Sequence, residues 1–297
     1  MRTRALSLAF TLAFLPALAA EASAVPPQQP APLTSASERA LLHNSPDWAL
    51  IAPHLPDPAI ATAAQLETVG DVLRARRFPE DALDYYGYAM ARGGDVSTLL
   101  NKMGIVRLEL RQVDLARTMF LRTVRAHKKD AGAWNNLGVA EYAGHDFHSA
   151  VRDYKRACKL NKRSAVFHSN LGLAYFELGD MDESRAEFTQ ALKLDPSIMT
   201  EEDGGGTTAH IVGSHDYAGL CLEMAKLYAR DHDVPRMLYW LAKGSDAGLK
   251  LHDAVHDNAE LNLYGKDPRV VLLIANEAQL HGRTVAAAKP PSLGSSH

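Results

Sequence analysis

The chain has 297 residues, 46% of them hydrophobic and 23% charged, the composition of a folded globular protein; wholesale disorder and a collagen-like chain are excluded. A formal net charge of −3 offers no global basic excess for nucleic acid, and two cysteines, Cys158 and Cys221, exclude a disulfide framework or a Cys-rich zinc module. At this length either two compact domains or one elongated array is expected.

Residues 1–24 read as a signal peptide. Arg2 and Arg4 give a positive start, residues 5–20 carry no charge, and Ala22-Ser23-Ala24 supplies the small-x-small pattern of a cleavage site. The apolar stretch is shorter than the roughly 20 residues that span a bilayer, and Pro16 interrupts it, so cleavage is expected rather than anchoring. Cleavage is placed after Ala24, with Ala20 as the alternative. Residues 25–34 hold four prolines and read as an extended linker. Residues 35–62 are expected to cap the N-terminal end and start the first long helix. Within them, 35–56 form a short helix and a loop carrying Trp48 and Ile51, and Asp57-Pro58 opens the helix that follows.

From residue 63 onward the chain resembles itself every 34 residues, with starts at 63, 97, 131 and 165 and no gap between them. The eighth residue of each block is Gly70, Gly104, Gly138 and Gly172; the twentieth is Ala82, Ala116, Ala150 and Ser184. The twenty-fourth is Tyr86, Phe120, Tyr154 and Phe188, and the twenty-seventh is Ala89, Thr123, Ala157 and Ala191. Places 4, 7, 8 and 11 share one face of a first helix; places 20, 24 and 27 share one face of a second. The small residues let the two helices approach, and the aromatic fills the space beside them. Such a pair cannot bury its apolar face alone, so neighbours must stack.

This pattern resembles the tetratricopeptide repeat, W-x2-L-G-x2-Y, then A-x3-F, then P. Residues 130–161 carry it through Trp134, Leu137, Gly138, Ala150 and Tyr154, with Glu141 in the tyrosine place. Residues 165–198 carry it through Leu171, Gly172, Tyr175, Phe188, Ala191 and Pro196. In the first two blocks Leu66 and Leu100 replace the tryptophan, and Leu73 and Arg107 the tyrosine. The resemblance implies an all-α, right-handed superhelix of stacked hairpins. After a glycine-rich insertion at 199–217, residues 218–251 read as a degenerate fifth repeat, with Asp233-Val234-Pro235 at its turn. Residues 252–282 read as a loop and a closing helix that Asp267 caps. Residues 283–297 read as a disordered tail.

The resemblance further implies that first helices line a concave groove. Its face then includes Glu67 and Asp71 in the first block and Asn101, Ile105 and Leu108 in the second. The third supplies Asn135, Asn136, Val139 and Tyr142, and the fourth Asn170, Leu173 and Phe176. Apolar residues flanked by amides suit an extended peptide or an amphipathic helix. A second reading stands beside this one: Asn136 and Asn170 are common residues before Leu-Gly in this repeat, and Val139 and Leu173 also suit packing between repeats. The basic residues that clamp a terminal carboxylate in some family members are missing at Glu67, Asp71, Asn101 and Ile105.

Charge is uneven along the chain. Residues 102–163 hold 14 Lys and Arg against 6 Asp and Glu, whereas residues 164–297 hold 11 against 19. Arg122, Arg125, Arg152, Lys155, Arg156 and Lys159 fall on second helices, hence on the convex back, where they form either a solvated face or a surface for anionic glycan, lipid or acidic protein. Aromatics do not interleave with them, so single-stranded nucleic acid is not expected.

His252-x3-His256 is the metal-like pair, but Asp253 stands where H-E-x-x-H needs glutamate, and a loop is expected there. Gly204-Gly205-Gly206 lacks the lysine of a phosphate loop. Cys158 and Cys221 occupy expected core places. The sequence therefore assigns no catalytic residue, metal or cofactor. It leads to a non-catalytic scaffold for a protein or peptide partner, exported from a bacterial cytoplasm to the periplasm or beyond. The alternatives are an accessory module for anionic surface polysaccharide or lipid on the basic face, and an enzyme using the His252/His256 region.

Overall fold

A computed structural model describes residues 35–199 and 214–287. The signal segment, the proline-rich linker, Gly204–Gly206 and residues 288–297 lie outside the described residues. The chain divides into two units, 1–52 and 53–297. In the first, α1 (Ser35–His43) leads by a turn into α2 (Pro46–Ile51). Ser45 caps α2, its Oγ accepting from Trp48 N at 3.2 Å, with Pro46 in the first turn where no donor is needed. Trp48 stacks on His43 with ring centroids 3.8 Å apart.

The second unit is built of helical hairpins, with no strand among the described residues. The pairs are α3 (Ala63–Ala75) with α4 (Pro79–Ala91), α5 (Val96–Glu109) with α6 (Val113–Ala126), and α7 (Ala131–Ala143) with α8 (Phe147–Leu160). Then come α9 (Ala165–Leu178) with α10 (Met181–Leu194), and α11 (Tyr217–Arg230) with α12 (Val234–Asp246). Each hairpin packs on the next, which makes the fold an all-α solenoid.

Short polar side chains start the first helices by accepting from orphan backbone amides. Asp95 accepts from Thr98 N at 2.7 Å, Asp130 from Ala133 N at 3.0 Å, Ser164 from Phe167 N at 3.4 Å and Asp216 from Gly219 N at 2.8 Å. The opening of the first repeat corrects the sequence expectation. Its helix begins at Ala63, where Thr62 and Gln65 form a capping box, and not at Asp57-Pro58. Asp57 instead closes a turn, its carboxylate accepting from Ala59 N at 2.8 Å. That segment lies against α4, with Tyr85 Oη donating to Pro56 O at 3.2 Å and Arg92 Nε to Ala61 O at 3.1 Å.

The fifteenth place of every repeat turns the chain between its two helices in the left-handed region: Arg77, Arg111, His145, Gly179 and His232, with φ of 63°, 58°, 61°, 79° and 58°. The fifth hairpin keeps this turn despite its divergent sequence. Gly179 is the glycine in the series, and a side chain at such a φ costs about 1–2 kcal/mol. Gly179→Ala is therefore expected to lower stability by about 1 kcal/mol, while Arg111→Gly raises it by up to about 1 kcal/mol, the strain relief being partly offset by a freer unfolded chain. Denaturant titration of the two variants measures both signs.

The core recurs with the same period. A Cβ on Gly70 would stand 2.5 Å from the Tyr86 ring, on Gly104 2.6 Å from Phe120, on Gly138 2.7 Å from Tyr154 and on Gly172 2.8 Å from Phe188. All four rings are at most 1% exposed. Glycine is a poor helix former, yet only hydrogen leaves room for a ring at this distance. The fifth repeat inverts the device: Ala225 stands in the glycine place and Leu241 in the aromatic place, while Gly244 on α12 packs against Leu249 and Cys221.

After α12, the stretch expected to be a loop is helical: α13 (Leu251–Asp257), then α14 (Ala259–Asn262). Leu251, Ala254, Val255 and Leu261 are buried there, an apolar spacing that holds a helix against the fifth repeat. The last helix, α15 (Pro268–Ala287), extends past the expected boundary at 282, so residues 283–287 are helix and not tail. Asp267 accepts from Arg269 N at 2.9 Å at its start. Val270 is buried, Leu273 and Ile274 pack on the core, and Glu277 accepts from Leu251 N at 3.2 Å.

Candidate functional site

First helices touch the first helix of the next repeat, α5 to α7 and α7 to α9, so they form one continuous face. Side chains bridge that face at a constant sequence separation of 35. Arg74 pairs with Glu109 at 2.7 Å, Asn136 Nδ2 donates to Asn101 Oδ1 at 2.9 Å, Asn170 Nδ2 donates to Asn135 Oδ1 at 2.9 Å, and Tyr142 Oη donates to Glu177 at 3.0 Å. One repeat plus one residue is the offset that brings adjacent helices into side-chain register. Asn135 Nδ2 also reaches Asn136 Oδ1 at 3.4 Å, which joins the four amides into one chain. Lys102 closes the N-terminal end of the face, held by Glu67 at 2.8 Å and Asp71 at 2.6 Å. Tyr86 Oη donates to Asp71, and burial with that carboxylate pushes the phenol's pKa well up.

The ten groove residues named from sequence divide into two sets. Asn101, Ile105, Leu108, Asn136 and Val139 are half-buried and keep part of their surface open. Asn135, Tyr142, Asn170, Leu173 and Phe176 are 1–7% exposed and belong to the packing of the array. Chain from either side of residues 200–213 meets this second set. Ser169 Oγ contacts Met199 Sδ at 3.1 Å, and His215 pairs with Glu177, the same carboxylate that Tyr142 engages. Ile198 and Met199 join the cluster that holds Tyr142, Leu173 and Phe176. The 34-residue register does not extend to residues 199–217, so no periodic signal marks this contact. The open part of the face thus lies in the first three repeats. Beside it a polar hollow of about 380 Å³ is lined by Asp71, Arg74, Ala75 and Glu109.

Glu141, in the tyrosine place of the third repeat, is 7% exposed. Arg117 of α6 reaches it at 3.1 Å, passing Gly144, where a Cβ would stand 2.8 Å from the guanidinium. Burial raises the Glu141 carboxyl above its usual range, and the Arg117 charge opposes that rise.

On the second helices, Arg122, Arg125, Arg152, Lys155 and Lys159 are exposed and Arg156 is half-buried. A shallow hollow of about 330 Å³ is bounded by Trp134, Arg152, Asp153, Lys155, Arg156 and Lys159. Arg152 is tied to buried Asp153 at 3.0 Å, and Lys155 Nζ sits 5.2 Å from the centre of the Tyr175 ring. Two of these cations are thereby partly engaged.

His252 and His256 share a face of α13 with ring centroids 4.5 Å apart, and both are exposed. Burial pushes the thiols up, Cys158 to about 12 and Cys221 to about 11, far from a nucleophilic thiolate at neutral pH. One constellation was missed from sequence. Cys158, His168 and Glu187 offer ligand atoms all within 4.8 Å of one another. They lie 10 and 19 residues apart on three helices, so no motif spacing announces them.

Family profiles of the tetratricopeptide repeat match residues 101–146, 138–179 and 165–198, which together cover the second to fourth repeats. The matched families are repeat families, and none is an enzyme family. No curated protein matches the chain. Among solved structures, a crystal structure of MamA is 18% identical, covers 50% of this chain and 85% of its own, and superposes with a TM-score of 0.43. MamA from Desulfovibrio magneticus RS-1, residue 41 to the end, gives 22%, 54%, 91% and 0.43. A further MamA crystal structure gives 16%, 66%, 96% and 0.44.

Proposed function

We propose that this array of tetratricopeptide repeats is a non-catalytic scaffold that holds a protein partner on the open concave face of its first three repeats. The observation that carries the reading is the row of half-buried apolar side chains, Ile105, Leu108 and Val139, which pack in part on the core and keep part of their surface open on successive first helices. The same run of first helices carries the Asn101–Asn136 amides and, in its first two repeats, the hollow of Asp71, Arg74 and Glu109. The apolar row suits the side chains of an extended segment or helix, and the amides its backbone. A preformed face avoids part of the ordering cost of binding. The N-terminal segment, with Arg2, Arg4 and the Ala22-Ser23-Ala24 site, supports export to the bacterial envelope.

The test is capture from an envelope extract on immobilised protein. Ile105→Lys/Val139→Lys is expected to cut recovery of the captured partner about tenfold or more with helical content unchanged. Reversal of Arg152, Lys155 and Arg156 to glutamate is expected to leave capture intact. The opposite pattern favours a second reading, an anionic partner on the outer face, whose support is the hollow among Arg152, Lys155, Arg156 and Lys159. Such binding weakens steeply with salt.

A further inference from the structure

We propose that Cys158, His168 and Glu187 form a divalent-metal site of zinc type at the junction of the third and fourth repeats. Cys158 lies on α8, His168 on α9 and Glu187 on α10, so the set spans three helices. Thiolate, imidazole and carboxylate are the three ligand types that zinc takes, at about 2.0–2.3 Å each. Ligands at those lengths stand about 3.5 Å from one another around a tetrahedral ion. The present separations, none beyond 4.8 Å, need about 1 Å of side-chain movement to close.

The orientation of His168 is the second support. Its Nδ1 lies 2.6 Å from Glu187 Oε2 and its Nε2 3.3 Å from the Lys162 carbonyl, so one ring nitrogen faces the carboxylate of the set and the other a backbone oxygen. A ring N–H held by a backbone carbonyl while the other nitrogen ligates is the usual outer support of a metal-bound histidine.

Charge and burial agree. Thiolate and carboxylate neutralise a divalent ion, so the loaded set is neutral in a place where Cys158 is 8% exposed. Loading releases the thiol proton. The Glu187 side chain is 27% exposed, which leaves a side from which water completes the coordination. The bound ion clips α8 to both helices of the following hairpin.

The experiment is titration of the full-length protein with Co²⁺ and then Zn²⁺, read by absorption and calorimetry. One Co²⁺ per chain with a near-ultraviolet thiolate-to-cobalt charge-transfer band is expected, and Zn²⁺ displaces it. Cys158→Ala abolishes the band, Glu187→Gln weakens zinc by about tenfold or more, and Cys221→Ala leaves the band in place. Absence of the band on the wild-type protein overturns the proposal and leaves His168–Glu187 as a simple ion pair. Zinc affinity unchanged in Cys158→Ala overturns it as well, since the ion then sits elsewhere, with His252 and His256 the first place to examine.

Discussion

Gly104→Ala is expected to lower stability by about 1–3 kcal/mol, because the added methyl would stand 2.6 Å from the buried Phe120 ring. Gly87→Ala is expected to do the reverse. Gly87 also lies inside a helix, but a Cβ there meets nothing within 4 Å, so the better helix former gains about 0.5–1 kcal/mol. Phe120→Ala alone costs about 3–5 kcal/mol. Combined with Gly104→Ala it costs less than the sum, since the ring that the methyl meets is gone. Denaturant titration of this cycle, with hydrogen exchange to localise the loss, reads all three signs; strict additivity would mean that the recurring glycine–ring contact does not hold the hairpin together.

Arg117→Met is expected to cost about 2–3 kcal/mol, below the roughly 3–5 of a wholly buried pair because Arg117 is itself 32% exposed. The loss comes from stranding Glu141, not from the value of the pair. Arg117→Met/Glu141→Leu should therefore recover most of it. The sign of the pH dependence follows from linkage. Burial raises the folded-state pKa of Glu141, so the folded protein holds that proton more tightly than the unfolded chain. The stabilising contribution is present at low pH and is lost as pH rises through the folded value. Removing Arg117 takes away the cation that opposes the rise. The deficit of the variant is thus largest near neutral pH and shrinks as pH falls into the carboxylate range. Thermal unfolding across that range checks it; a deficit independent of pH would assign the loss to packing of the arginine stem.

The core was legible in the sequence because its cause is steric. A ring set against a helix backbone admits only glycine opposite it, and 34 residues is the length of one hairpin, so Gly70, Gly104, Gly138 and Gly172 mark the contact wherever it recurs. The face of the first helices was legible as a face but not as a surface. Helical spacing puts Ile105 and Leu173 at equivalent places, yet one is half-exposed and the other 1% exposed. Leu173 belongs to a cluster that also takes in Met199, from the insertion that follows the fourth repeat and that no periodicity encodes. The helix over 251–257 escaped for a related reason: seven residues are too few for a periodic signal, and tertiary packing of Leu251, Ala254 and Val255 decides it. The Cys158–His168–Glu187 group needs two levels of structure: His168 and Glu187 meet within the fourth hairpin, and Cys158 joins them only when the third hairpin docks on it.

The proposed partner face on the first helices and the cation-rich face on the second helices belong to different helices of the same hairpins, which makes them separable by a positional probe. A photo-reactive amino acid at Ile105, Val139, Arg156 or Lys159, activated in intact cells, tests the central assignment most directly. Cross-linked adducts to a discrete protein at Ile105 and Val139, and none at Arg156 or Lys159, are the result predicted. Adducts confined to the two basic positions would contradict it.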